Sequence, residues 1–369
     1  MKCPGSITIL LAALLLSSSA LAAHLVINRE VPLSPRHHPE PYLITQVSNG
    51  AFIIAGSSAP GPGYPWAVRV DSNGKILWEY VDGPIGGVDG YGPLGERFYG
   101  AIDLPDQQTL LCGVKPANRG RVALLIRIRG DGSVVDKRQV DPGRPDGTVS
   151  FIGCSRWGAG FAIIGTVSGR PKGTGWLVKL DAKTDFVWQK FADYYSYGDV
   201  VEALHGGLFL ISGSNHPDVT SVVKLDSAGE LVASHALPAD SSDWEIVHPV
   251  GLRSGVRVAY MLSQTRTDIV EFDDQLRGPE RTWRLHDAGL KAALEMTDGS
   301  IVILGSQWHN AATASIAVTD RNGGSQNILL QPAYTSPWFI AAVPSGNPNE
   351  LVTVRQVNGV ATLAWISIR

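Results

Sequence analysis

Residues 42–80 read YLITQVSNGAFIIAGSSAPGPGYPWAVRVDSNGKILWEY, and the stretch divides into four short strands. Residues 42–47 form an apolar strand that stops at the turn Ser48-Asn49-Gly50. Residues 51–56 are a second, very apolar strand, and a Gly/Pro loop follows. Residues 66–70 alternate as a third strand. Asp71-Ser72-Asn73-Gly74 is a tight turn, and residues 75–80 are the fourth strand. Alternating or continuous apolar runs of this length between Gly/Asn/Asp turns are the mark of hairpin-connected strands.

The same order recurs along the chain. Residues 161–165, 176–180 and 186–190 repeat strands two to four around Asp181-Ala182-Lys183-Thr184. Residues 208–213, 221–225 and 230–234 do so around Asp226-Ser227-Ala228-Gly229. Residues 301–305 and 315–318 lead to Asp320-Arg321-Asn322-Gly323. Two copies are more worn: 109–113 and 124–128 precede Arg129-Gly130-Asp131-Gly132, and 256–262 and 268–272 precede Asp273-Asp274. The turns start at 71, 129, 181, 226, 273 and 320, so the spacings are 58, 52, 45, 47 and 47. That is the period of four-stranded propeller blades, with insertions taken up in loops. A seventh copy has three strands, 339–343, 350–355 and 361–369. Its fourth strand is available at the other end of the chain, where 24–33 is an extended segment without a partner. The expectation is an all-β, seven-bladed β-propeller of four-stranded antiparallel blades, closed by the N-terminal strand pairing with the C-terminal blade. Closure removes the open edge that a linear array would leave. Neither a sandwich nor a helical solenoid accounts for this period in alternating strands.

Residues 1–22 are set apart. Lys2 precedes an apolar run at 7–16, and Ala20-Leu21-Ala22 fits a signal-peptidase site. We read 1–22 as a signal peptide and 23–369 as a single propeller domain, periplasmic or secreted. The run is short for a bilayer, and no other stretch is long and apolar enough to span one. Export bears on the cysteines. Cys3 leaves with the leader, and Cys112 and Cys154 remain as an even pair in an oxidising compartment, either disulfide-bonded or two buried thiols. A formal net charge of -3 argues against a nucleic-acid partner.

The segment WAVRVDSNGKILWEY, with its pattern apolar-x-apolar-Asp-x-x-Gly-x-x-x-Trp, resembles repeats of large secreted bacterial propellers and the PQQ-type repeat of quinoproteins. Trp78 and Trp188 hold the Trp position. The resemblance implies a hairpin turn and an aromatic between blades; it implies no chemistry, because propellers host many unrelated functions.

In a propeller, the loops joining strand two to three and strand four to the next blade share one face with the channel mouth. Here they carry aromatics suited to protein contact or sugar stacking. Tyr64 lies in 60–65, and Tyr91 in the Gly-rich stretch 81–97. Tyr194, Tyr195 and Tyr197 precede blade four, and Trp244 leads into blade five. Trp308 and His309 lie in blade six, and Tyr334 precedes blade seven. Inter-blade burial is the competing role for these rings. His205, His248, Glu202 and Glu295 fall along inner strands and read as solvated channel polarity. The Asp71 turn lacks the further carboxylates of a calcium loop. No histidine spacing, nucleophile elbow or phosphate loop is present, so no metal, cofactor or catalytic residue is assigned. The leading expectation is an exported, non-catalytic propeller binding another protein through its loop face, for example an inhibitor or immunity-type protein against a secreted toxin. The alternatives are an enzyme or lectin acting on a carbohydrate or small ligand at the channel mouth and, behind it, a PQQ-dependent oxidoreductase.

Overall fold

The computed structural model describes the chain from Leu25 to Arg369 apart from 34–38, 59–62, 84–95, 118–119, 145–147, 169–173, 193, 204–205, 215–219, 238–246, 253–254, 264–265, 287–289, 291, 307–313, 320–324, 330–337 and 358–359. The first strand is β1 (Leu25–Pro32). Blade one is β2 (Glu40–Gln46), β3 (Phe52–Ser57), β4 (Pro65–Val70) and β5 (Ile76–Val81). Blade two is β6 (Arg97–Asp103), β7 (Thr109–Ala117), β8 (Gly120–Ile128) and β9 (Val134–Val140). Blade three is β10 (Thr148–Trp157), β11 (Gly160–Ser168), β12 (Thr174–Leu180) and β13 (Phe186–Ala192). Blade four is β14 (Tyr194–Glu202), β15 (Leu208–Ser214), β16 (Thr220–Leu225) and β17 (Leu231–Ala236). Blade five is β18 (Val247–Leu252), β19 (Gly255–Ser263), β20 (Arg266–Asp273) and β21 (Pro279–His286). Blade six is β22 (Ala292–Glu295), β23 (Ile301–Ser306), β24 (Ala314–Thr319) and β25 (Ser325–Leu329). Blade seven holds β26 (Trp338–Pro344), β27 (Glu350–Val357) and β28 (Val360–Ile368), and β1 pairs with β28 as its outer strand.

Each blade is an antiparallel four-stranded sheet. The first strands contact one another in sequence, β2 to β6 to β10 and onward to β26, which returns to β2. This innermost ring defines a seven-bladed β-propeller. A sheet in such a ring is covered on both faces, and that explains the sequence pattern. All six residues of β3 and of β4 are buried, whereas the outer strand β17 is largely exposed. Apolar side chains gather into seven clusters, one at each seam between neighbouring blades. The seam between blades seven and one holds Leu33, Phe52, Trp66, Leu363 and Trp365.

Polar contacts lock the closure. Asn28 donates to Glu350 Oε1 at 2.8 Å and to Ser367 Oγ at 2.7 Å, and Arg355 pairs with Glu30. The Leu33 amide donates to the Ala361 carbonyl at 2.8 Å. Burial opposes the Glu350 charge, but hydrogen bonds from Ser345, Asn347 and Asn28 outweigh it and hold the carboxyl below the usual range.

The Asp-x-x-Gly turns close the hairpins between strands three and four. Asp71 Oδ1 accepts from the Asn73 and Lys75 amides, both at 2.8 Å, and Asp181 and Asp226 repeat the pattern. These carboxylate oxygens serve the turn backbone. Gly132 and Gly229 sit at φ +89° and +78°, and each receives a tryptophan of the preceding blade, Trp78 and Trp188 respectively. The repeat tryptophan therefore packs on the next blade's turn.

Candidate functional site

The two ends of the ring differ. At one end lie the hairpins joining strands one to two and three to four, and there polar side chains staple neighbouring blades. Arg69 Nη1 donates to the Gln107 carbonyl at 2.8 Å, Arg127 Nη1 to that of Lys183 at 3.2 Å, and Lys224 Nζ to that of Asp274 at 2.7 Å. All three cations occupy the same repeat position, next to last in the apolar part of strand three. Trp157 Nε1 donates to the Gly206 carbonyl at 2.7 Å, and Glu202 Oε1 accepts from the Gly158 amide at 2.7 Å. Glu295 pairs with Arg257 at 3.1 Å, and Arg257 also binds Glu271 within its own blade. Glu202 and Glu295 are thus engaged at blade seams. His205 lies outside the described residues, and of His248 only the strand position on β18 is described.

The other end is the loop face, and its described part is richest where blades one and two meet. Asp82 follows β5 and is buried, with its amide on the Pro65 carbonyl at 2.9 Å. Tyr80 donates its hydroxyl to Asp82 Oδ1 at 2.9 Å, and Lys137 from β9 pairs with the same oxygen. Burial, and then the Asp82 charge and hydrogen bond, push the Tyr80 phenol well above its ordinary range. Glu96 precedes β6. Burial lifts its carboxyl to about 7; Asp82 adds to the rise, while Lys115, Lys137 and Arg121 oppose it. The ring of Tyr64 lies against the Gly83 backbone, where a methyl group would collide with it. Ser58 holds Tyr64 in place through both backbone groups.

Closer to the channel, the innermost strands β2 and β6 bring together Tyr42, Arg97 and Tyr99. The Arg97 guanidinium lies 4.2 Å from the Tyr42 ring centre and 5.6 Å from that of Tyr99; the two ring centres are 6.1 Å apart. Tyr42 is 41% exposed. Along β6, partly exposed residues alternate with buried Phe98, Gly100 and Ile102. Arg97 and Tyr99 therefore share the less buried side.

The sequence-derived site residues fare unequally. Tyr64 packs its ring against Gly83 of its own blade. Tyr91, Trp244, Trp308, His309 and Tyr334 lie outside the described residues. Tyr194, Tyr195 and Tyr197 were expected ahead of blade four; they lie within its first strand β14, where Tyr194 pairs with Ser214 and Tyr195 with Gly213. Their side chains are not described. Arg97, placed by sequence in the Gly-rich loop, is the first residue of β6. A one-residue alternation of Arg97, Phe98 and Tyr99 after the glycines was the available signal. Cys112 and Cys154 form a disulfide with their Cα atoms 6.4 Å apart, joining β7 of blade two to β10 of blade three. Among the described residues no cluster of three His, Cys, Asp or Glu side chains could hold a metal ion, and no helix is long and apolar enough to cross a membrane.

No protein-family model and no curated protein matches the chain. Solved structures do. The Swd1 β-propeller domain of Myceliophteria thermophila aligns with a TM-score of 0.61 at 11% identity, covering 94% of this chain and 100% of that one. Hydrazine synthase of Kuenenia stuttgartiensis aligns at 0.57 and 14% identity, covering 90% and 96%. BBS1N, solved in complex with ARL6, aligns at 0.53 and 11%, covering 94% and 97%. At these identities the likeness carries the fold alone.

Proposed function

We propose that this chain is an exported, non-catalytic propeller that holds a protein partner on its loop face. The observation that carries this reading is the Tyr42–Arg97–Tyr99 group at the inner edge of that face. Tyrosine and arginine are the residue types that dominate binding energy at protein interfaces. At the hairpin end, by contrast, Arg69, Arg127 and Lys224 join neighbouring blades. Asp82 is buried with one oxygen taken by Tyr80 and Lys137, which fits a carboxylate that holds the seam together. BBS1N, a propeller of similar fold, is solved with the protein ARL6. The disulfide between blades two and three favours an oxidising compartment and so favours export through residues 1–22. Inhibition of, or immunity to, a secreted toxin is the specific form of this reading.

A photo-crosslinking amino acid placed at Tyr42, and separately at Ser72 in an exposed hairpin turn, tests it in cells producing the full chain. The expected result is a discrete adduct from position 42 in the periplasmic fraction and none from position 72. Absence of an adduct from 42, or equal adducts from both, overturns the reading.

A further inference from the structure

Among the described residues, five arginines have a buried Nε without a hydrogen-bond partner: Arg29, Arg69, Arg97, Arg127 and Arg355. Four of them anchor a terminal nitrogen elsewhere. Arg29 donates to the Ser72 carbonyl at 2.7 Å, Arg69 to Gln107, Arg127 to Lys183, and Arg355 to the Glu30 carboxylate. Arg97 is the exception. Among the described residues its guanidinium has neither a hydrogen bond nor a carboxylate, only the faces of Tyr42 and Tyr99. Half-burying a cation against two rings removes water from it without supplying a counter-charge. Such a group has an unmet preference for an anion, and it sits, partly exposed, on the first residue of β6 at the inner edge of the loop face.

We infer that Arg97, packed beside the rings of Tyr42 and Tyr99, is the receptor for a carboxylate side chain of the partner protein; this rests on the protein-binding reading above. The N–H groups of a guanidinium point outward from its edge, so an acceptor meets that edge. A planar carboxylate matches that edge with two parallel hydrogen bonds. The seam around it is of mixed charge: Asp82 and Glu96 stand with Lys115, Lys137 and Arg121, and Asp82 is already paired with Lys137. Arg97 itself balances the single negative charge of a carboxylate.

Calorimetric titration of the mature chain with end-capped peptides tests the assignment. The probes are a tetraglutamate, the matching tetraglutamine, and inorganic phosphate as competitor. The tetraglutamate is expected to bind, the tetraglutamine not, and equimolar phosphate to leave the binding unchanged. Arg97→Gln should weaken tetraglutamate binding by about tenfold or more, with Arg97→Lys between the two, since Lys keeps the charge but lacks the fork. Thermal melts report whether each variant is folded. If Arg97→Gln does not fold, Tyr42→Ala replaces it and should also weaken binding, through loss of the ring that packs on Arg97. No binding by the unmodified chain, equal binding of tetraglutamine, displacement by phosphate, or unchanged affinity in the folded variant overturns the carboxylate assignment. An adduct from position 42 alongside any of those results leaves the protein-binding reading standing and removes only this assignment.

Discussion

Gly56 and Gly113 show how a single residue type marks a place in this ring. Each lies on the second strand of its blade, opposite an irregularity in the first strand, between Pro41 and Leu43 and between Phe98 and Gly100 respectively. A methyl at Gly56 would strike the Glu40 carbonyl, and one at Gly113 the Arg97 carbonyl. The bulge turns the inner strand toward the channel, and the glycine admits the displaced carbonyl. Repetition alone exposed these glycines; their cause needed the register. Glu96 is the opposite case, since nothing local distinguishes it. Its carboxyl is raised from 4.5 to about 7 by burial first. The folded chain therefore binds that proton more tightly than the unfolded chain. Stability falls as pH rises from about 4.5 through about 7, and the loss is complete above that window. Glu96→Gln removes the titration. Its thermal midpoint should exceed that of the unmodified chain at pH 8, and the difference should shrink toward zero near pH 4. A difference that does not change with pH would show that Glu96 does not titrate in this window.

Among the elements, the strand hairpins are local and the seams are not. The turn at Asp71 can form from its own five residues, because Asp71 Oδ1 satisfies amides two and four positions on. That is why the turns were legible in sequence. The Cys112–Cys154 bridge is a seam feature: the two positions are 42 residues apart and belong to different blades. Bond and free thiols were equally compatible with the sequence, since burial and spacing do not say which strands face each other. In the chain-entropy account, closing a loop of this length stabilises by about 2–4 kcal/mol. The double variant Cys112→Ala, Cys154→Ala should unfold at a correspondingly lower denaturant concentration. Reductant should bring the unmodified chain down to the same midpoint. If reduction leaves that midpoint unmoved, the bridge does not stabilise the fold.

At the scale of the whole molecule, the ring depends on its first described strand. β1 pairs along the length of β28 and supplies Glu30 to Arg355 and Asn28 to Glu350, and Leu33 just after it is completely buried. Removing residues 25–33 would strand an arginine and bare the β28 edge, which is a template for association. The truncated mature chain should melt well below the intact one and elute from size exclusion as concentration-dependent oligomers. Identical melting and monomeric elution would show that closure does not hold the ring together.

The seven-bladed count, the four-strand blade and the closure were determined by the sequence itself. Each rests on a short-range pattern: Asp-x-x-Gly turns, apolar runs of strand length, and an incomplete last copy matched by an unpartnered first segment. Where the inner strands begin was less legible, as Arg97 and Tyr194 show, because glycine-rich and tyrosine-rich stretches carry no strong strand pattern. The candidate site was the least legible part: Tyr42, Arg97 and Tyr99 were not among the site residues expected from the sequence. Tyr42 and Arg97 are 55 residues apart in the chain, on different blades. Their contact exists only because the ring sets β2 beside β6. Periodicity determines which residues form a blade; only the packing of one blade on the next decides which side chains meet at a seam, and which cation there is left without a counter-charge.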